Sequence, residues 1–376
     1  MIYLDNAATT KPCTAAVNAM VSAAEEFGNP SSLHGVGLRA EKLVNSSKEK
    51  IAAMLGTDTK GIYFTSGGTE ANNLAVFGTA YAKKRMGNRI ITSKIEHPSV
   101  LEAFKRLEEG GFDVIYADVD NDGRIDMDML RKSLNDDTIL VSIMHVNNET
   151  GVIQPIEEIS ALIRKYSPKS TFHCDCVQSF GKIPVLPLKM GADMVSLSAH
   201  KIHGFKGTGA LYTSSDRIFP MLYGGEQQHE IRPGTENVGG IAAFAAAAEQ
   251  CRIDCDEMCR KRNLMKDMLI KNIPNIKING SDEYNSGSVL NVSFIGIKAE
   301  ILLHSLERYE IYVSTGSACS SHKPQPSHVL TAMGLSQKEI NGAVRISFCA
   351  GTTDEDIIFA AEKIADEVKT IRKYMR

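Results

Sequence analysis

Lys201 directly follows a histidine and sits three residues after Ser198, in Ser196-Leu-Ser-Ala-His-Lys-Ile-His203. The segment before it, from Met194 to Leu197, is apolar and strand-like. A lysine is a poor nucleophile at neutral pH unless desolvation or nearby cations lower its pKa, and its main covalent use is a Schiff base with a carbonyl. Ser198 and His200 would be presented by the same turn, as ligands of a phosphate. The plain alternative is a strand end with a solvated lysine, and a short motif alone does not separate the two.

The usual carbonyl partner of such a lysine is pyridoxal phosphate, whose pyridine nitrogen needs an acidic group to keep it protonated. Phe172-His-Cys-Asp-Cys-Val-Gln178 supplies Asp175 near the end of an apolar strand, with Gln178 three residues later for the ring oxygen. Ile62-Tyr-Phe-Thr-Ser-Gly-Gly-Thr-Glu-Ala-Asn72 reads as strand, glycine turn and helix. There Gly67 and Gly68 allow close backbone approach, and Thr69 offers a hydroxyl and an amide to an oxyanion. Ser93-Lys-Ile-Glu-His97 follows a strand over Arg89–Thr92 and places His97, before Pro98, as a group for the ring to stack on. All of these fall at strand C-termini, where open α/β sheets bind their ligands.

On these residues the chain resembles the cysteine desulfurases of the nitrogen-fixation and iron–sulfur-cluster type, in the class V aminotransferase group of pyridoxal phosphate fold type I. The resemblance runs from Tyr3-Leu-Asp-Asn-Ala-Ala-Thr-Thr10 to the C-terminal helix. It is carried by Phe27-Gly-Asn-Pro-Ser31, Phe64-Thr-Ser-Gly-Gly-Thr-Glu70, Glu96-His97, His145-Val-Asn-Asn-Glu-Thr-Gly151, Asp175 with Gln178, and Ser198-Ala-His-Lys201. Further on it rests on Arg232-Pro-Gly-Thr235, Gly316-Ser-Ala-Cys319, Pro326-Ser-His-Val-Leu330 and Arg345-Ile-Ser347. It implies removal of sulfur from L-cysteine, giving L-alanine and a persulfide on Cys319 for a sulfur-acceptor protein. Lys201, Cys319 and His97 would be catalytic. Gly68, Thr69, His97, Asn148, Asp175, Gln178, Ser198, His200 and Lys201 would hold the cofactor, joined by Thr235 from the second subunit of a homodimer. Asn148 and Arg345 would bind substrate.

Arg345 also has a reason of its own. An amino-acid carboxylate is best read by a bidentate guanidinium, and a buried arginine in the apolar run Ala343 to Phe348 needs an anion. Cys319 lies among small and turn-forming residues, as expected of a loop that must carry sulfur outward. Its length from Cys319 to Pro326 resembles the long-loop members of the family, while Ser320-Ser-His-Lys-Pro-Gln325 departs from their pattern and leaves the acceptor open. A selenocysteine lyase, in which Cys319 is dispensable, and another class V aminotransferase-type enzyme are the alternative activities. A scaffold that has lost catalysis is the third, disfavoured by the intact Lys201, Asp175, Cys319 and Arg345.

The elements needed to position these groups alternate along the chain. Strands are expected at Ile62–Thr65, Arg89–Thr92, Asp113–Ala117, Thr138–Ile143, Thr171–Asp175, Met194–Leu197 and Gly209–Thr213. Helices over Val100–Glu109, Met127–Leu134 and Ile156–Tyr166 lie between them, predicting a mostly parallel sheet covered on both faces. One long helical stretch, Val238 to Lys271, should lead to a second α/β unit with strands at Ser288–Phe294, Ile311–Val313 and Val344–Phe348 and helices at Glu300–Leu306 and Asp354–Tyr374. A chain of 376 residues exceeds the roughly 250–300 at which one core stops growing, so two domains are expected. These are a large cofactor-binding domain over 15–255 and a small domain of 1–14 with 256–376, the latter carrying the cysteine loop at about 314–327.

A formal charge of −3 gives no electrostatic case for nucleic acid or a membrane surface, and no apolar run approaches a membrane span. The 8 cysteines are scattered without a disulfide framework, as expected in a reducing cytoplasm. Cys251, Cys255 and Cys259 would share one stripe of the long helix. No fourth ligand is evident and structural zinc wants four, so no metal site is expected.

Overall fold

The strand Thr138–Met144 is buried at every residue, which is why its sequence is mostly apolar and does not alternate with exposed polar residues. It lies inside a seven-stranded sheet in the order Ile62–Thr65, Gly209–Thr213, Met194–Ser198, Thr171–Asp175, Thr138–Met144, Arg89–Ser93, Asp113–Ala117. Gly209–Thr213 runs antiparallel to both neighbours, and the remaining pairs are parallel. The other strands therefore end at one edge, where Thr65, Ser93, Met144, Asp175 and Ser198 are their last residues. The computed structural model describes residues 1–215, 218–251, 253–315 and 326–374.

Helices begin directly at that edge. Gly68–Lys83 starts after Thr65 and the Gly67 turn, and Pro98–Glu109 starts after His97. His97 caps the second of these helices through its ring: Nδ1 accepts from the Ser99 backbone N–H at 3.1 Å, and Pro98 occupies the first helical turn, where its missing N–H costs nothing.

Four further strands, Ser314–Thr315, Ala343–Ser347, Val289–Phe294 and Ile276–Asn279, form an antiparallel sheet in that order. Its core gathers Leu290, Phe294 and Phe348 with Ile357, Ile364 and Val368 of the helix Asp354–Tyr374, and takes in Leu4 from the far N-terminus. The first residues are held there by backbone pairing. Ile2–Tyr3 lies parallel to Ile311–Tyr312, and the Asn6 amide donates to the Ser347 carbonyl at 3.0 Å.

The expected long helix is two. Val238–Gln250 ends where Cys251 turns to an extended conformation, and Cys255–Asn272 begins anew, capped by the Asp254 carboxylate accepting from the Glu257 N–H at 3.0 Å. An aspartate that can cap a new start competes with helix continuation. Cys251 consequently leaves the stripe it was expected to share, and only Cys255 and Cys259 lie on one helix. Among the described residues no helix is long and apolar enough to cross a membrane.

Candidate active site

A pocket of about 300 Å³ opens at the C-terminal edge of the large sheet. Its walls include Gly68, Thr69, His97, Asn148, Asp175, Gln178, Ser198, His200, Lys201 and Arg345, so most residues expected at the site are brought together by the fold. Cys319 lies outside the described residues. Thr235 is not in this pocket. It is exposed, in the segment before Val238–Gln250.

Lys201 sits in a short turn after Ser198, and its Nζ donates to the carbonyls of Ala7 and Ala8, each at 2.7 Å. The N-terminal segment thus forms one wall. Asp175, last in its strand, accepts at Oδ1 from the Val177 N–H at 2.9 Å and at Oδ2 from Asn72 at 2.7 Å. Asn72 also donates to the Ser99 hydroxyl at 2.8 Å, joining the Asp175 strand to the His97 cap. Gln178 donates from Nε2 to the Ala7 carbonyl at 2.8 Å and accepts at Oε1 from Lys182 at 2.9 Å.

The phosphate end has the character expected of it. The Gly68–Lys83 helix has no side-chain cap at its N-terminus, which leaves backbone N–H groups for an anion. Gly67 holds φ +155°, a backbone angle that favours glycine, and a Cβ at Gly68 would come 2.7 Å from Val177 Cγ2, so Gly68 needs glycine for close approach. Ser198 Oγ is buried with no hydrogen-bond partner. Orphaned buried hydroxyls are rare, and one aimed at a ligand site asks for a ligand. His200 is held by the Thr9 hydroxyl at 3.1 Å; burial, and then the positive charges of Lys201, Lys206 and Lys182, push its pKa down to about 4.

His97 has its pKa lowered by burial, with Asp175 acting against this and Lys201 and His328 adding to it. With Nδ1 accepting from the Ser99 N–H, the neutral ring carries its proton on Nε2. Beneath it Glu96 is wholly buried. Its Oε1 accepts from the Ser93 hydroxyl at 2.6 Å and the Met144 N–H at 3.0 Å, its Oε2 has no partner, and burial pushes its pKa up to about 8.

Arg345 is 3% exposed and lines the pocket, and its charge is already paired within the chain. Its Nη2 donates to Asp5 Oδ1 at 2.8 Å and its Nη1 to the Asn148 carbonyl at 3.1 Å, while Nε has no partner. The expectation that burial alone demands a substrate carboxylate is corrected by Asp5, which supplies an anion from the chain itself. Next to this, Glu149 accepts at Oε2 from the Ser327 hydroxyl at 2.6 Å, and burial raises its pKa to about 7. His328 donates from Nε2 to the Glu96 carbonyl at 2.9 Å. These contacts tie Pro326-Ser-His-Val-Leu330 to the pocket.

The sequence profile of the aminotransferase class-V family matches residues 2–358. The chain belongs to this class-V aminotransferase family. A cysteine desulfurase, IscS, of Dictyoglomus turgidum is 41% identical over 99% of this chain and 96% of its own length. Among solved structures, a NifS-like protein superposes with a TM-score of 0.91 at 36% identity, covering 98% of this chain and 99% of the other. A structure described as SspA in complex with cysteine gives a TM-score of 0.83 at 32% identity, over 93% of this chain and 99% of the other. These relatives place the chain in the cysteine desulfurase branch of the class-V family, whose enzymes use pyridoxal phosphate. The pocket fits that cofactor at both ends. The partnerless Ser198 hydroxyl and the uncapped helix suit an anion at one end, and Asp175 offers a buried carboxylate at the other.

Several members of the site were not singled out from sequence. Asn72 lies one helical turn past Gly68, on the same face, and that spacing was the available signal. The carbonyls of Ala7 and Ala8 carry no side-chain signature at all. Lys182 had none beyond its spacing from Gln178.

Proposed function

We propose that this chain removes sulfur from L-cysteine, giving L-alanine and a persulfide on Cys319 that is passed to an acceptor protein. The observation that carries the reading is the convergence of Lys201, Asp175, His97, Ser198 and Arg345 on one pocket, in a chain similar to cysteine desulfurases over nearly its whole length. Pyridoxal phosphate, when bound, supplies an electron sink that acidifies the substrate Cα–H. Ser198, His200, Thr69 and the amides at Gly68 hold the phosphate. Asp175, fixed by Asn72 and the Val177 N–H, keeps the ring nitrogen protonated. Gln178 would donate to the ring oxygen, and His97 would supply a surface for the ring to stack on. Lys201 Nζ removes the Cα proton, a step whose general-base contribution is about 10²–10⁴-fold. Asn148 and the outward N–H groups of Arg345 orient the substrate carboxylate. Cys319 Sγ then takes the sulfur: a sulfur–sulfur bond forms, the carbon–sulfur bond breaks, and the carbon is reprotonated to alanine.

The same reading makes the active form a cytoplasmic homodimer in which Thr235 reaches the phosphate of the second subunit. Its exposure outside its own pocket supports that assignment. It also divides the chain into a large unit, 15–255, and a small one, 1–14 with 256–376. The separate cores around Phe172 and Phe244 and around Leu290 and Phe348 support the division. Product identity tests the function: alanine with sulfide supports it, whereas an oxo acid from the amino substrate points to transamination.

A further inference from the structure

Lys182 lies in the turn after the Asp175 strand and reaches back to the pocket from behind. Its Nζ donates to Gln178 Oε1 at 2.9 Å, Gln178 Nε2 donates to the Ala7 carbonyl at 2.8 Å, and Lys201 Nζ donates to that same carbonyl at 2.7 Å. A primary amide is almost symmetric in shape, so only its partners decide which end is oxygen. Here the Ala7 carbonyl, an acceptor only, takes the nitrogen end, and the Lys182 amine donates to the oxygen end. The Nε2 group keeps a second N–H for the pocket that Gln178 lines.

We propose that Lys182 is a positioning residue for the cofactor ring oxygen: its amine fixes the Gln178 amide so that an N–H, and never the amide oxygen, faces that oxygen. The proposal rests on the pocket being the pyridoxal phosphate site. The oxygen that Lys182 reaches belongs to a neutral amide, an uncommon destination for a lysine amine at depth. Its other surroundings are a second cavity of about 280 Å³ behind Lys201, which shares Lys201 as a wall. That cavity is lined by Cys13, Cys251, Cys349 and Asp254. Burial, then repulsion from Lys201 and Arg345, lowers the Lys182 pKa to about 7, with Cys251 and Cys349 acting against this. Either protonation state of the amine donates a hydrogen bond, so the lock on Gln178 outlasts the charge.

The test uses the holoenzyme reconstituted with pyridoxal phosphate and reads the pH midpoint of its visible band. Lys182→Met keeps the length and loses the donor. Losing a donor to the ring oxygen and losing a nearby cation both favour the protonated, longer-wavelength form, so the midpoint should rise by about one pH unit. Gln178→Leu should raise it too, and the double variant should fall clearly short of the sum of the single shifts, because the donor to the ring oxygen is shared and only the loss of the Lys182 charge adds. Lys182→Arg, with the cavity to take its bulk, should keep the native midpoint. An unmoved midpoint in Lys182→Met, or additive shifts in the double variant, overturns the proposal. Should Lys182→Met not fold, Lys182→Ala is read in the same way. A native protein that takes up no pyridoxal phosphate overturns the site reading and this proposal together; a native band with an unmoved variant overturns this proposal alone.

Discussion

Asp5 and Arg345 form an ion pair across 340 residues of chain, with Nη2 to Oδ1 at 2.8 Å and the arginine lining the pocket. The side chains are 4% and 20% exposed for the arginine and the aspartate, so the pair is shielded from solvent on the arginine side. It holds the guanidinium in one orientation before any substrate arrives.

Substituting Arg345 separates recognition from support. Arg345→Lys keeps the charge and loses the fork, and cysteine binding should weaken by about 2 kcal/mol, roughly 30-fold. Cysteamine lacks the carboxylate and should bind both proteins equally poorly. Equal losses for the two ligands would mean that the residue serves the fold. Asp5→Asn should lower unfolding stability by about 2 kcal/mol, since it strands a buried cation. Chemical denaturation of the apoprotein measures it.

Ser198→Ala makes two opposite demands. The hydroxyl is buried without a partner, so its removal should leave the apoprotein melting temperature unchanged or raised. Cofactor affinity should fall by about 1.5–3 kcal/mol, the range for a hydrogen bond to a charged group. A variant with native affinity would remove Ser198 from the phosphate site.

In Lys201→Ala the visible absorption of the cofactor-loaded protein should vanish while the far-ultraviolet circular dichroism stays native. A borohydride-trapped adduct at a different lysine, found by peptide mapping, would show the assignment to be wrong.

Cys319→Ala should keep cofactor absorbance and cysteine-induced spectral change, yet release sulfide only at background. Near-native desulfuration of cysteine would sink the nucleophile role. Retained activity on selenocysteine alone would not, because selenium is the better leaving group.

Glu96 predicts a pH dependence of stability. Its folded pKa, about 8, lies above the ordinary glutamate value, so the folded state binds the proton more tightly than the unfolded state does. The resulting stability is fully present below about pH 4.5 and is lost as pH rises to about 8. Glu96→Gln removes that titration. Its stability relative to native should improve across this window by several kcal/mol, on the order of what linkage allows for a buried carboxyl. Parallel curves for the two proteins from pH 5 to 8.5 would contradict the buried acid.

How much of this was legible in sequence depends on where the information sits. The strands Ile62–Thr65, Asp113–Ala117, Thr171–Asp175 and Gly209–Thr213 were readable to the residue, because each is a short, β-prone run cut off by turn formers. So were the residues at their ends, since the chemistry of a strand end is local. The break after Gln250 was obscured by helix formers on both sides, and only the Asp254 cap reveals it. The role of Asp5 depended on a contact between distant segments, which no local pattern encodes. For the same reason the carbonyls of Ala7 and Ala8 were invisible: every residue has one.

The wall that receives Lys201 has a consequence for how the protein is made. Its carbonyls at Ala7 and Ala8 belong to a segment pinned from two sides, by Gln178 and Lys201 at the large sheet and by Tyr312 and Ser347 in the small one. A chain that has completed its large sheet can offer the first set of partners but not the second. A chain clipped short of residue 347 keeps the reactive lysine and lacks half of what holds its wall.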